Sequence, residues 1–317
     1  MDLKSSITSR ARVEFRGGTD TCVGWHYPTG NGSMIVMASG LGVTRSPGTD
    51  AYAAAFVAAG FGVLSFDFRS FGDSGGSPRQ VACLADMRTD LTAAIEFARL
   101  LPDVCSGRIV LWGFSLAGGL VIETSAQTPG LAAVIAQSPL VDGRAAARHA
   151  QRHQSIAPAV RLGMRSVIDA LGARAQRPPR MVNLAGTRGT VALLTTPDAQ
   201  DADRALGPRH RYPEWRDEVA ARFVLSLTNY RPGRLASSVQ CPLLIVASTD
   251  DETIPIASTR AVVKRSPSVD LVEVAGGHYA PFLESFDECV TAEIAFLRTV
   301  AQLGPDLSNL ANGRVRA

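Results

Sequence analysis

One stretch, residues 109–119, limits what this chain can fold into more than any other. An apolar, β-rich run from Ile109 to Trp112 leads directly through Gly-Phe-Ser-Leu-Ala into small residues that begin a helix. A strand that turns this sharply favours glycine two residues before the serine, because a side chain there would collide. Such a turn exposes the Ser115 hydroxyl and points helix N–H groups at whatever it attacks. The stretch indicates a nucleophile elbow, against the alternative of a glycine-rich loop with an exposed serine.

Apolar runs of strand length alternate with helix-length segments on both sides of this turn. We predict strands over residues 33–38, 62–67, 108–112, 132–138, 243–247 and 270–274. We predict helices over residues 50–59, 86–101, 115–128, 256–265 and 286–300. Residues 12–15 and 22–27 are predicted to form an antiparallel hairpin at the sheet edge. The alternation predicts an α/β fold with a mostly parallel, doubly wound sheet and helices on both faces.

The alternation stops between about residues 142 and 235. We predict helices there over residues 144–154, 158–171 and 215–227, joined by connectors rich in proline and glycine. We interpret this segment as an inserted, mainly helical cap over the carboxyl edge of the sheet, where open α/β sheets bind ligands. The rest of the chain is predicted to form an α/β core from residues 1–141 and 236–303. Residues 304–317 are predicted to form a C-terminal tail.

Composition and charge exclude several classes of function. Of the 317 residues, 46% are hydrophobic, and the net charge is only +3. No basic run predicts nucleic-acid binding, and no apolar run predicts a signal peptide or a membrane span. The five cysteines are scattered, without CxxC spacing. They predict reduced, mostly buried thiols in a cytoplasmic protein with no zinc site or disulfide framework.

Arginines are concentrated in the predicted cap. Residues 144–235 contain 16 arginines and no lysine against seven acidic residues. Any one of these arginines is best explained as a solvated surface residue. The regional excess favours an anionic substrate or partner, such as an acyl group presented by coenzyme A or an acyl carrier protein.

A serine nucleophile needs a base, and the base needs an orienting acid. His278 follows the last predicted strand beside Gly276 and Gly277, which let the loop turn toward the serine. For the acid we choose Asp251, which follows the strand before it. Asp142 and Asp250 remain alternatives.

Two preorganised donors are expected to hold the oxyanion that forms during attack. One is the backbone N–H of Leu116, the residue after the serine. The other is assigned to the N–H of Leu41, in the loop Ser39-Gly40-Leu41-Gly42, where the glycines allow close backbone approach.

These motifs together resemble the α/β-hydrolase superfamily, with the closest likeness to capped members of the dienelactone-hydrolase and thioesterase type. The resemblance also includes Asp67 to Gly75, which implies a structural turn that braces the loops beneath the site. Three positions depart from the family pattern. Ser39 stands in place of histidine, and Ser70 and Ala117 stand in place of glycine.

The expected reaction is hydrolysis of an ester, thioester, lactone or amide through an acyl-enzyme on Ser115. It requires no metal and no cofactor. The alternatives are acyl transfer, cyclisation or C–C bond cleavage on the same fold, and a catalytically silent ligand-binding protein. The sequence leaves the acyl group, the leaving group and homo-oligomerisation open.

Overall fold

A computed structural model of this protein describes residues 10–303. The predicted C-terminal tail, residues 304–317, lies outside the described residues. The strands are β1 (Ala11–Gly17), β2 (Asp20–Tyr27), β3 (Met34–Ala38), β4 (Gly62–Phe66), β5 (Ile109–Phe114), β6 (Ala133–Gln137), β7 (Met181–Ala185), β8 (Ala192–Leu194), β9 (Glu218–Ala220), β10 (Leu243–Ser248) and β11 (Val269–Val274). The α-helices are α1 (Thr49–Ala58), α2 (Leu84–Arg99), α3 (Leu116–Ser125), α4 (Gly143–Ala150), α5 (Ile156–Arg174), α6 (Ala202–Leu206), α7 (Val224–Leu227), α8 (Ile256–Arg265) and α9 (Phe286–Leu303).

Eight strands form one sheet in the order β1-β2-β4-β3-β5-β6-β10-β11. β1 and β2 pair antiparallel, β2 pairs antiparallel with β4, and the remaining strands run parallel. Every residue of β3, β4, β5, β6 and β10 is buried. Strands buried on both faces need helices on both faces. Side chains of α2, α3 and α8 pack on one face, and those of α1 and α9 pack on the other. The predicted fold class is confirmed.

The residues of the predicted cap hold α4 to α7 and a small second sheet, ordered β8-β7-β9. The helix predicted over residues 215–227 is wrong, since only α7 at its end is α-helical. Trp215, Val219 and Phe223 are four residues apart and all are buried, which mimics one face of a helix. Val219 instead lies in β9 and pairs with Val182 of β7.

All five cysteines are free, but they are less buried than predicted. Cys22 and Cys289 are buried, Cys241 is half-buried, and Cys83 and Cys105 are exposed. The two exposed cysteines lie in loops, just before α2 and in the turn that leads to β5. No helix within residues 10–303 combines the length and the apolar character needed to cross a bilayer.

Candidate active site

Ser115 stands at the sharp turn between β5 and α3. Its backbone has φ 58° and ψ −118°, a conformation that costs energy for any residue with a side chain. The Ser115 N–H donates to the Gln137 carbonyl of β6 at 2.9 Å, which fixes the turn to the sheet. A Cβ at Gly113 would overlap the Ala117 carbonyl, so glycine is needed at position 113. Ala117 is fully buried in α3, and the turn forms with alanine at the position that is usually glycine.

His278 lies beside the serine, in the loop between β11 and α9. Its Nε2 is 3.0 Å from Ser115 Oγ, and the side chain is almost fully buried. The Phe114 ring packs against the imidazole, with 4.9 Å between centroids. Gly276 has φ 101°, which allows the loop to turn back toward the sheet. The structure therefore brings the predicted serine and histidine within hydrogen-bond distance.

Asp251 completes a continuous hydrogen-bonded chain. One carboxylate oxygen is 2.7 Å from His278 Nδ1, and the other accepts the Ile254 N–H at 2.5 Å. Burial lowers the pKa of His278, but the charges of Asp251 and Asp198, with the hydrogen bond that the imidazole donates to Asp251, raise it more, so the net pKa is raised. The pair is arranged to stabilise an imidazolium ion.

The two alternative acids have other partners. Asp142 caps α4 by accepting the Ala145 N–H at 3.1 Å and also pairs with Arg231 at 2.7 Å. Asp250 is exposed and accepts the Gly276 N–H at 3.2 Å. Of the three candidate acids, Asp251 is the one that is hydrogen-bonded to His278.

Asp198 is a further buried carboxylate at this site, and it was not predicted from the sequence. It comes from the 142–235 segment, in a 3₁₀ turn before α6. It accepts backbone N–H bonds from Glu252 at 2.8 Å, Thr253 at 3.2 Å and His278 at 3.0 Å, and a hydroxyl bond from Thr253 at 2.9 Å. Burial raises the pKa of Asp198, but the nearby imidazole, the Thr196 hydroxyl and the backbone N–H groups of His278 and Glu252 lower it below its usual value. Asp198 thus joins the loop of the acid to the loop of the base.

Leu41, Leu116 and Ser115 line the same cavity. The loop that carries Leu41 is braced where the family has histidine, because the Ser39 hydroxyl donates to the Thr44 carbonyl at 3.0 Å. Gly40 packs close to the Ser115 side chain. Leu116 follows the serine directly, and Leu41 follows Gly40. The oxyanion role of their N–H groups remains a prediction.

The turn from Asp67 to Gly75 holds the neighbouring loops. The buried Asp67 carboxylate pairs with the Arg45 guanidinium and accepts the N–H groups of Arg45 and Asp73. Ser70, which stands in place of the family's glycine, adopts φ 68°. The backbone conformation that favours glycine is therefore kept although the side chain is not.

A cavity of about 570 Å³ opens above Ser115. Its walls are mainly apolar and come largely from the 142–235 segment, including Ala146, Val160, Leu184, Leu194, Leu206 and Trp215. Within the described residues no arginine lines the cavity, and Asp217 is its only charged lining residue. The arginine excess of this segment therefore lies outside the space nearest the serine.

The fold and this geometry agree with comparisons to known proteins. A family model described as "Alpha/beta hydrolase family" matches residues 35–292. This chain belongs to the alpha/beta hydrolase family. The "Quorum-quenching protein AidA" of Acinetobacter baumannii is 37% identical to this hydrolase-family chain over 271 residues, covering 84% of it and 86% of the relative.

Other members of the family differ in the chemistry their names describe. The "Polyketide transferase ATR5" of Stachybotrys chlorohalonatus is 29% identical to this chain over 260 residues. The alignment covers 78% of this chain and 82% of the relative. Among solved structures, "The structure of DcsB complex with its substrate analogue" has TM-score 0.77 and 23% identity, covering 92% of this chain and 100% of that one. At that identity the structural likeness shows the fold alone.

Proposed function

We propose that this protein is a serine hydrolase that cleaves an ester, thioester or lactone through an acyl-enzyme on Ser115. The observation that carries the proposal is the hydrogen-bonded chain from Ser115 Oγ through His278 to Asp251. A hydroxyl on a strained turn, a buried base and a buried acid in this order are the requirements for acyl transfer to serine.

The proposed mechanism has two stages. Ser115 attacks the carbonyl carbon while His278 Nε2 takes the hydroxyl proton, and Asp251 stabilises the imidazolium that forms. The N–H groups of Leu41 and Leu116 hold the developing oxyanion. His278 then protonates the leaving oxygen or sulfur. A water molecule, deprotonated by His278, releases the acid product.

The cavity favours a substrate with an apolar acyl chain and a small polar head. Its walls offer hydrophobic contacts, and burying each CH₂ group contributes about 0.8 kcal/mol. An N-acyl homoserine lactone has these two parts, and the name of the quorum-quenching relative supports testing that class first. We further propose that residues 142–235 act as the cap, since they supply most of the cavity wall.

A carrier-bound acyl group remains a second candidate within the same chemistry. A relative from Arthrinium phaeospermum named "Thiohydrolase apmlB" is 35% identical over 108 residues, 34% of this chain and 35% of the relative. Arg161 and Arg165 are exposed on α5, next to the cavity-lining residues Val160 and Gly163. An anionic carrier would meet these arginines outside the cavity while its acyl chain entered.

Acyl transfer is the alternative reaction, and the name of the polyketide-transferase relative favours keeping it. The two reactions differ in what resolves the acyl-enzyme. Turnover in ¹⁸O-water places label in the acid product if water is the acceptor. Unlabelled acyl product formed only with an added nucleophile would favour transfer.

The main test traps the acyl-enzyme. Protein is mixed with a panel of acyl homoserine lactones, p-nitrophenyl esters and acyl-CoA thioesters of matched chain length, and intact mass is measured. We expect an adduct on wild-type protein and none on Ser115→Ala. A fluorophosphonate should label the same serine. Absence of both adducts in folded protein would favour a silent ligand-binding protein.

A further inference from the structure

Three side chains converge on one point outside the proposed catalytic chain. His149 lies in α4, His153 lies one turn further on in a 3₁₀ turn, and Glu252 follows Asp251 in the loop after β10. His149 Nε2 and His153 Nε2 are 2.7 and 3.1 Å from the same oxygen, Oε2 of Glu252. The two imidazole nitrogens are 3.3 Å apart.

These distances approach those on one face of a tetrahedral metal site. With Zn–N and Zn–O bonds near 2.0–2.1 Å, neighbouring ligand atoms of a tetrahedron lie about 3.3 Å apart. The observed separations are 2.7, 3.1 and 3.3 Å, so the main adjustment on metal binding is to move His149 and Glu252 apart by about 0.6 Å. Two histidines and one carboxylate with a fourth position open to water form a common zinc ligand set.

The Nε2 atoms of the two histidines and the Glu252 carboxylate face the same small volume. A neutral imidazole can offer a ring-nitrogen lone pair to a metal ion, and a carboxylate can offer an oxygen. All three side chains are partly exposed, which leaves the volume open to an ion from solvent.

We propose that His149, His153 and Glu252 form a binding site for a divalent transition-metal ion, with Zn²⁺ as the best fit. A sequence motif could not have indicated this site, because Glu252 is 103 residues from His149. The site is separate from the proposed acyl chemistry, which uses no metal.

A metal at this position would join two parts of the molecule that surround the substrate cavity. α4 lines the cavity through Ala146, Ala147 and Ala150. Glu252 follows the proposed catalytic acid directly, and its N–H donates to Asp198. Zn²⁺ would therefore hold the α4 wall against the loop that positions Asp251, and it would stabilise the folded state by mass action.

The test uses full-length, tag-free protein treated with EDTA and exchanged into chelator-free buffer. Zn²⁺ is titrated by calorimetry, and Co²⁺ is titrated by the visible absorption that tetrahedral cobalt gives. We expect one saturable site and a Tm that rises with Zn²⁺. His153→Ala and Glu252→Gln should each weaken binding by at least about tenfold, as loss of a ligand does.

Glu252→Gln is the sharper variant because glutamine keeps an oxygen that can accept a histidine hydrogen bond. Its Tm without metal shows that it has folded. His210→Ala, at an exposed histidine of the same segment, is the matched control and should bind Zn²⁺ as wild type does. If wild type shows no saturable site, or if the ligand variants bind as well as His210→Ala, the proposal is wrong. None of these measurements depends on hydrolase activity, so they stand apart from the proposed function.

Discussion

The large sheet and the 142–235 segment differ in how far they bury their apolar side chains. Strands β3 to β6 bury every side chain, whereas α5 exposes a row of large apolar side chains, Ile156, Val160, Met164, Val167, Ile168 and Leu171. Within the segment, Arg209 forms ion pairs with both Asp203 and Asp217. The central strands thus bury their apolar side chains completely, whereas α5 leaves large apolar side chains exposed.

In the proposed function, residues after the strands of the sheet carry out the reaction, and residues of the segment select the substrate. Ser115 and Asp251 follow β5 and β10, which pair with a strand on each side, and His278 follows the edge strand β11. The cavity wall comes mainly from the segment, where side chains can change without disturbing the strands. Asp198 is the exception, since it belongs to the segment yet bonds to the loops of the acid and the base.

The largest expected loss of activity follows substitution of Ser115, the serine after β5 of the sheet. Ser115→Ala should lower kcat/KM for an ester substrate by about 10⁴-fold or more, because it removes the hydroxyl that lies within hydrogen-bond distance of His278. Ser155→Ala, at a cavity-lining serine of the segment, is the matched control and should stay within about threefold of wild type. Both variants should keep the wild-type Tm. Comparable losses of kcat/KM in Ser115→Ala and Ser155→Ala would mean that Ser115 is not the nucleophile.

Asp198→Asn tests the one segment residue that bonds to the loops of Asp251 and His278. We expect kcat to fall by about 10–100-fold, by analogy with the loss of residues that orient a functional group. The carboxylate of Asp198 raises the pKa of His278, so its removal should lower that pKa. Because His278 acts as a base only when neutral, the acidic limb of the pH–rate profile should move to lower pH.

Asp201→Asn is the control for Asp198→Asn, since the partly exposed Asp201 side chain pairs only with Arg204 among the described residues. A loss of activity in Asp198→Asn without movement of the acidic limb would mean that Asp198 acts through folding alone. The pH–rate profile therefore distinguishes a positioning residue from a purely structural one.

Glu293→Gln tests a smaller effect, in the core beneath the sheet. Burial raises the pKa of Glu293 to about 8, and its Oε2 accepts the Trp112 indole N–H at 3.1 Å. In the unfolded chain the same group ionises near pH 4.3. Between these values the folded state holds the extra proton, so the free energy of unfolding falls as pH rises and levels off above about pH 8.

Glutamine lacks this titration. The Tm of Glu293→Gln relative to wild type should therefore increase from pH 5 to pH 8, by about a few degrees, and change little above that. Differential scanning calorimetry measures this difference. Exposed Glu288→Gln, one turn and a half earlier in α9, should show no such trend.

The smallest expected effect is at the arginines beside the cavity. Arg161→Gln with Arg165→Gln should change kcat/KM for a neutral ester by less than about twofold, since neither side chain lines the cavity. For an acyl-CoA of the same chain length, a loss of about threefold to tenfold that disappears at high salt would indicate carrier binding there. Equal behaviour of the two substrates would remove the carrier-bound candidate.

The sheet was predictable because each strand is a short, continuous apolar run. β5 and β10 begin within one residue of their predicted positions, and α8 matches its predicted range. The elbow was predictable because glycine at 113 is sterically required before the turn. The pairing of Ser115, Asp251 and His278 could be expected from their order after strands that end at one sheet edge.

The segment was less predictable because its structure depends on contacts between distant residues. β8 and β9 have three residues each, too few to show an alternating pattern. Asp198 lies in a polar run typical of any helix start, and nothing local marks its bonds to residues 252, 253 and 278. Its role is visible only when the chain is folded.

The bonds of Asp198 have a consequence for recombination between relatives. Exchanging residues 142–235 for the corresponding segment of another family member would change the specificity and also remove an acceptor that holds His278. A chimera with a different wall would then be slow for a reason unrelated to its substrate. Keeping Thr196 to Asp198 from this chain, with Thr253 as their partner, preserves the link between the two parts. Evolution of a new specificity in this protein is thus restricted at one carboxylate inside an otherwise replaceable segment.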